Sequence, residues 1–145
     1  MRDSPVGIAP TPCDSRRVSV PLSGVLPLRI LVVDDHAGFR SLARRLLAAD
    51  GFDVVGEAGT GAAGIAASAS LRPDAVLVDL QLPDVDGFEV SRRLSEQVDP
   101  PAVVLISARP LADYGARSLP GAVSGFLPKA ELTGAALVDV LRRRG

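Results

Sequence analysis

From Leu28 onward the chain repeats one pattern five times: a short apolar run followed by a helical segment. The runs are LRILVV, FDVVGEA, DAVLVDL, AVVLIS and VSGFLP. A continuous apolar run of this length suits a strand covered on both faces, and such strands belong to parallel sheets. Alternating strand and helix units of this size predict an α/β fold, a doubly wound five-stranded parallel sheet with helices on both faces. Right-handed crossovers then place every strand C-terminus on one edge, where ligands bind in folds of this kind.

The helical segments carry their own signals. After the first strand, Phe39, Leu42, Ala43, Leu46 and Leu47 fall at i, i+3, i+4, i+7 and i+8 and form one apolar stripe. Arg40, Arg44 and Arg45 lie off it and are read as solvated. Thr60 is placed to cap the second helix. Asp86 and Gly87 open the third, and Pro100 and Pro101 are expected to end it. Between the fourth and fifth strands, PLADYGARSLPG predicts a poor helix, because Gly115 lies within it and Pro120 closes it. Thr133 is the expected N-cap of the last helix, with Leu132 and Leu137 as a hydrophobic staple. Leu137, Val140 and Leu141 are its expected buried face. Residues 1–27 are rich in Pro, Ser and Arg, lack a hydrophobic period and read as a disordered tail, leaving 28–145 as the folded domain.

Composition narrows the function classes. A net charge of −1 argues against a general nucleic-acid or membrane-surface binder. Cys13 is the only cysteine, so neither an internal disulfide nor a thiolate metal site is expected. No apolar run approaches a membrane span, and prolines at 5, 10, 12 and 21 interrupt any signal-peptide core, so a cytoplasmic location is the expectation.

Four of the strand ends carry chemistry. Asp34 and Asp35 end the first strand, Asp79 the third, Ser107 the fourth and Lys129 the fifth. Lys129 is the only lysine in a chain otherwise using arginine, and an ammonium is a compact point charge where guanidinium is a broad planar fork. Carboxylates gathered at a sheet edge repel one another unless a cation joins them. With only oxygen ligands on offer, that cation is expected to be hard, and Mg²⁺ fits best. A metal, an ammonium and a hydroxyl around one carboxylate are suited to holding a phosphoryl group. Asp79, alone on the central strand, is the best nucleophile candidate, and its product would be a labile acyl phosphate. No GxxxxGK loop is present for nucleotide binding. His36 is read as an exposed loop or cap residue rather than a ligand, and Glu57 as structural or solvent-facing.

These residues carry a resemblance. VVDDH, LVDLQLPDVDG, LISA and GFLPKAEL resemble, in order and spacing, the receiver domain of bacterial two-component response regulators. Asp79 follows Asp35 by 44 positions and Lys129 follows Ser107 by 22, and Pro83, Asp86 and Gly87 match the family's loop. GFLPKAEL most resembles receivers of the NarL/FixJ type. The resemblance implies a flavodoxin-like (CheY-like) fold and a non-enzymatic response regulator that signals by protein–protein contacts in a phosphorelay. The sequence departs from the family pattern after the last helix, where no output domain follows, so a single-domain regulator is the expectation. The resemblance also implies that Asp79 accepts phosphate from a histidine kinase, with Mg²⁺ held by Asp34, Asp35, Asp79 and the backbone carbonyl of Gln81. Lys129 and Ser107 would contact the phosphoryl group, and Ser107 and Phe126 would act as the switch pair. The fourth helical segment, fifth strand and last helix would form the face for a downstream protein or a phosphorylation-dependent homodimer. Direct DNA binding is not expected.

Other readings remain open at this stage: a truncated relative of a DNA-binding regulator, a phosphate-independent interaction module, and a Mg²⁺-dependent aspartyl phosphatase. The phosphatase reading is weakened because such enzymes carry the nucleophile on the first strand with a second Asp two residues on, where this chain has His36.

Overall fold

The computed structural model describes residues 27–114 and 123–144. The proposed tail up to residue 26 and most of the expected fourth helix lie outside the described residues. Five strands form one parallel sheet: β1 (Arg29–Val33), β2 (Asp53–Ala58), β3 (Ala75–Asp79), β4 (Ala102–Ser107) and β5 (Gly125–Pro128), in the order β2-β1-β3-β4-β5. Among the described residues four helices cover it: α1 (Ala37–Ala49), α2 (Gly61–Leu71), α3 (Gly87–Ser95) and α4 (Gly134–Arg144). The doubly wound α/β expectation is therefore met.

Strand residues alternate between two cores. Ile30, Val32, Leu77, Val104 and Ile106 pack with Ala43 and Leu47 of α1 and with Leu137 and Val140 of α4. Leu31, Val33, Val76, Val78 and Leu105 pack on the other face with Val90 and Leu94 of α3, and with Ile65 and Leu71 of α2. All five residues of β3 are buried, as its continuous apolarity requires of a central strand. α2 is built of Gly, Ala and Ser and lies close to the sheet: a Cβ on Gly64 would fall 2.7 Å from Val33 Cγ2.

The caps follow the side chains. Thr60 Oγ1 accepts from Ala63 N at 3.0 Å, Asp86 Oδ1 from Glu89 N at 2.9 Å, and Thr133 Oγ1 from Ala136 N at 2.9 Å. Each satisfies one of the donors that a helix start leaves unpaired.

Three local expectations are corrected. Leu42 is 42% exposed. At 3.6 residues per turn it lies about 100° and 140° around the helix from the buried Ala43 and Leu47, on the outer rim of the stripe. α3 ends at Ser95 with Glu96 as C-cap, ahead of Pro100 and Pro101. The prolines instead follow a turn in which Asp99 takes a φ of +53°. Arg40 and Arg44 are not simply solvated. Both bind Glu57, and each donates to a backbone carbonyl: Arg40 Nη1 to Asp34 O at 2.6 Å, Arg44 Nη1 to Val54 O at 3.0 Å. Sequence periodicity cannot show this, because the partners come from β2 and from the residue that follows β1. Between β4 and β5, Leu111–Tyr114 forms a 3₁₀ turn, as suits a segment with weak helical signals.

Candidate functional site: an acidic cluster with one ammonium

The strand order reverses at β1 and β3, and in folds of this kind ligands bind beyond the strand C-termini at such a switch point. Asp34 follows β1 directly, and Asp79 is the last residue of β3. The backbone of Asp34 is held on both sides: its N–H donates to Ala58 O at 2.9 Å, and its C=O accepts from Arg40. Its carboxylate is wholly buried. Oδ1 accepts from His36 N at 2.8 Å, while Oδ2 accepts no hydrogen bond of good geometry and is compensated by Lys129 Nζ, 2.6 Å away.

Lys129 comes from the turn that ends β5, and its Nζ also lies 3.3 Å from Asp79 Oδ2. It stands 4.7 Å from the centroid of the Phe39 ring on α1, within cation–π range. Burial works against its charged form, but the Asp34 and Asp79 carboxylates outweigh that and raise its pKa. Asp79 is also raised: burial and the Asp34 charge push it up, against the Gln81 N–H at 3.2 Å and the Lys129 ammonium.

Asp34, Asp35, His36 and Asp79 each offer a ligand atom, and these atoms lie within 4.8 Å of one another. Three carboxylates against one ammonium, with oxygen predominating among the donors, fit a hard divalent cation. His36 heads α1 without a side-chain cap bond, and its Nδ1 lies 3.2 Å from Asp35 Oδ1. Its ring is largely exposed, as expected, yet the fold brings it to the rim of the acidic cluster.

Ser107, at the end of β4, is buried, and its Oγ accepts from Arg109 N at 3.0 Å. Phe126 on β5 is half-buried, paired in register with Leu105, and packs on the α2–α3 side. The loop after Asp79 is closed by Gly87 N donating to Leu80 O at 3.0 Å and by a bridge pairing Gln81 with Asp86. Asp84 accepts from Gly61 N and Ala62 N at 2.8 and 2.9 Å, which ties this loop to the start of α2 and lowers its pKa.

The sequence profile described as the response regulator receiver domain matches residues 30–142. The chain belongs to this family. It is 33% identical over 116 residues to the response regulator GacA of Pseudomonas viridiflava, covering 79% of this chain and 52% of that protein. It is 39% identical over 111 residues to protein-glutamate methylesterase/protein-glutamine glutaminase 2 of Anaeromyxobacter dehalogenans, covering 76% of this chain and 32% of that protein. It thus spans about half or less of these relatives' own length. A crystal structure of a LuxR-family two-component response regulator from Aurantimonas superposes with a TM-score of 0.68 at 26% identity, over 81% of this chain and 84% of that one. Family membership makes this a receiver domain of phosphorelay signalling. Among the described residues, no helix is long and apolar enough to cross a membrane.

Proposed function

We propose that Asp79 is the phosphoacceptor and that a sensor histidine kinase in the cytoplasm is the donor. A carboxylate oxygen of Asp79 attacks the phosphorus of a phosphohistidine, the P–N bond breaks, and the imidazole leaves with that electron pair and takes up a proton. The acyl phosphate on Asp79 is the product. The reading rests on one observation: a single ammonium, Lys129, contacts both Asp79 and Asp34 at the switch point of the sheet.

Asp34, Asp35, Asp79 and the Gln81 carbonyl would hold Mg²⁺, which when bound neutralises charge on the phosphoryl oxygens. Lys129 meets that charge from the protein side and favours the ionised, nucleophilic form of Asp79. The Ser107 hydroxyl donates to the phosphoryl group once it forms, and Phe126 on the adjoining strand turns inward with it. The chemical event thereby biases a two-state element. That element would include the Leu111–Tyr114 turn after β4, which with β5 and α4 makes the face for a downstream protein or a second copy. In this reading the domain is a switch rather than an enzyme.

Acetyl phosphate with Mg²⁺ should convert the protein to a phosphoprotein, read by intact mass, and Asp79→Ala should remain unmodified. Equal modification of the two would remove Asp79 from this role.

A further inference from the structure

Lys129 is held by more than its two carboxylates. The Phe39 ring lies 4.7 Å from Nζ, and the Lys129 side chain is only 14% exposed. Phe39 is the third residue of α1, in the turn nearest the strand ends, and it also packs on the core beneath that helix. The protein has four phenylalanines, and this one meets its only lysine. An aliphatic side chain also suits an apolar core contact but has no quadrupole to attract an ammonium.

We infer that Phe39 is a positioning residue that acts through Lys129: its ring holds the ammonium in the acidic cluster, where it meets Asp79. A lysine stem has four rotatable carbons and loses much rotamer freedom when fixed. Asp34 and Asp79 attract the charge, and the ring adds a third contact from another element, so the ammonium is ordered before a phosphoryl group arrives. Preorganisation of this kind lowers the cost of binding. The functional part of the inference rests on Asp79 being the phosphoacceptor; the contact itself does not.

The sole lysine makes the test direct. With ¹³C-lysine incorporated into the full chain, one Cε–Hε correlation reports on Lys129. Ring-current shielding should move it upfield in the wild type and in Phe39→Tyr, which keeps the ring. In Phe39→Leu, which keeps the apolar packing, it should return toward the position of a free lysine, while thermal unfolding shows that the variant is folded. Beryllofluoride with Mg²⁺, a phosphoryl mimic, should then need about 2–5-fold more ligand for half-saturation in Phe39→Leu, the worth of a partly buried cation–π contact, and recover in Phe39→Tyr. An unchanged lysine resonance, or equal half-saturation in wild type and Phe39→Leu, overturns the inference. A wild type that ignores beryllofluoride overturns the phosphoacceptor reading instead, and the resonance alone then decides whether Phe39 holds Lys129.

Discussion

The ammonium of Lys129 lies closer to Asp34 than to Asp79, 2.6 Å against 3.3 Å. Lys129 is therefore the counter-ion of two buried carboxylates that would otherwise repel each other, and its charge is part of the fold as well as of the site. Lys129→Met keeps the stem and removes the charge. It should cost about 1–3 kcal/mol at neutral pH, somewhat less than breaking a fully buried pair. The raised lysine pKa gives the sign: the stabilisation is complete below the ordinary value of 10.5 and is lost as pH rises through the higher folded value. Urea unfolding of both proteins between neutral and alkaline pH checks this, and the gap should close at the alkaline end.

Lys129→Arg keeps the charge and tests the shape. A guanidinium is a broad planar fork where the ammonium is a compact point charge, so it is not expected to meet both carboxylates and the Phe39 ring in the same way. Acetyl phosphate should still modify this variant at Asp79, while phosphorylation-dependent dimerisation or partner binding is lost. Full switching in Lys129→Arg would show that charge alone suffices.

Asp79 carries a cost that the proposed phosphoacceptor role would explain. Burial and the neighbouring Asp34 disfavour its charge, so its folded pKa lies above the ordinary 3.8. The folded state therefore holds this proton more tightly than the unfolded state does, and ionisation above that range subtracts stability. Asp79→Asn should raise stability at pH 7 by roughly 0.5–2 kcal/mol, since one pKa unit corresponds to about 1.4 kcal/mol and Lys129 loses a partner in exchange. The advantage should vanish as pH falls through the Asp79 titration. Denaturant midpoints at neutral and acid pH test this, and a less stable Asp79→Asn at neutral pH would contradict it.

The acids, the hydroxyl and the lysine were legible in the sequence because each ends an apolar run, and a parallel sheet brings such ends to one edge. The caps at Thr60, Asp86 and Thr133 were legible because capping is local. What escaped was contact between distant segments. Phe39 and Lys129 are 90 positions apart, and the ring reads as core in any helical count. Arg40 and Arg44 look like a solvated face until β2 brings Glu57 beneath them. The end of α3 was misplaced because the prolines were visible, whereas the turn at Gln97–Asp99 depends partly on Gln97 reaching Ile65 O across to α2.

Glu57 provides a test of that hidden frame. The bond from Arg44 holds its carboxyl below the ordinary value of 4.5, against some burial and with help from Arg40. A lowered carboxylate contributes stability above its unfolded pKa and loses it as pH falls through the folded one. Glu57→Gln should thus be less stable than wild type at neutral pH by about 0.5–1 kcal/mol, the range for a partly exposed pair. The two should converge in acid. Because Arg40 also donates to Asp34 O, Mg²⁺ affinity should fall with it, as titration calorimetry would show. Unchanged affinity would mean that the Arg40–Asp34 bond persists without Glu57.

Gly87 sets a steric limit on the loop after Asp79 that only backbone movement could relieve. A Cβ there would lie 2.7 Å from Asp79 O and 2.9 Å from Leu80 Cα, both backbone atoms that no rotamer change can move. The same residue donates its N–H to Leu80 O, closing the loop that carries Gln81. Gly87→Ala would have to push the start of α3 away from the end of β3, loosening that bond. Intrinsic helix propensity favours alanine by about 1 kcal/mol, so a purely local view predicts stabilisation. The overpacking cost of about 1–3 kcal/mol should win because the clash is with backbone. Gly87→Ala is therefore expected to unfold at lower denaturant and to accept phosphate from acetyl phosphate more slowly, since the displaced carbonyl belongs to Asp79 itself. A stabilised variant with normal phosphorylation would show that the loop can move aside without cost.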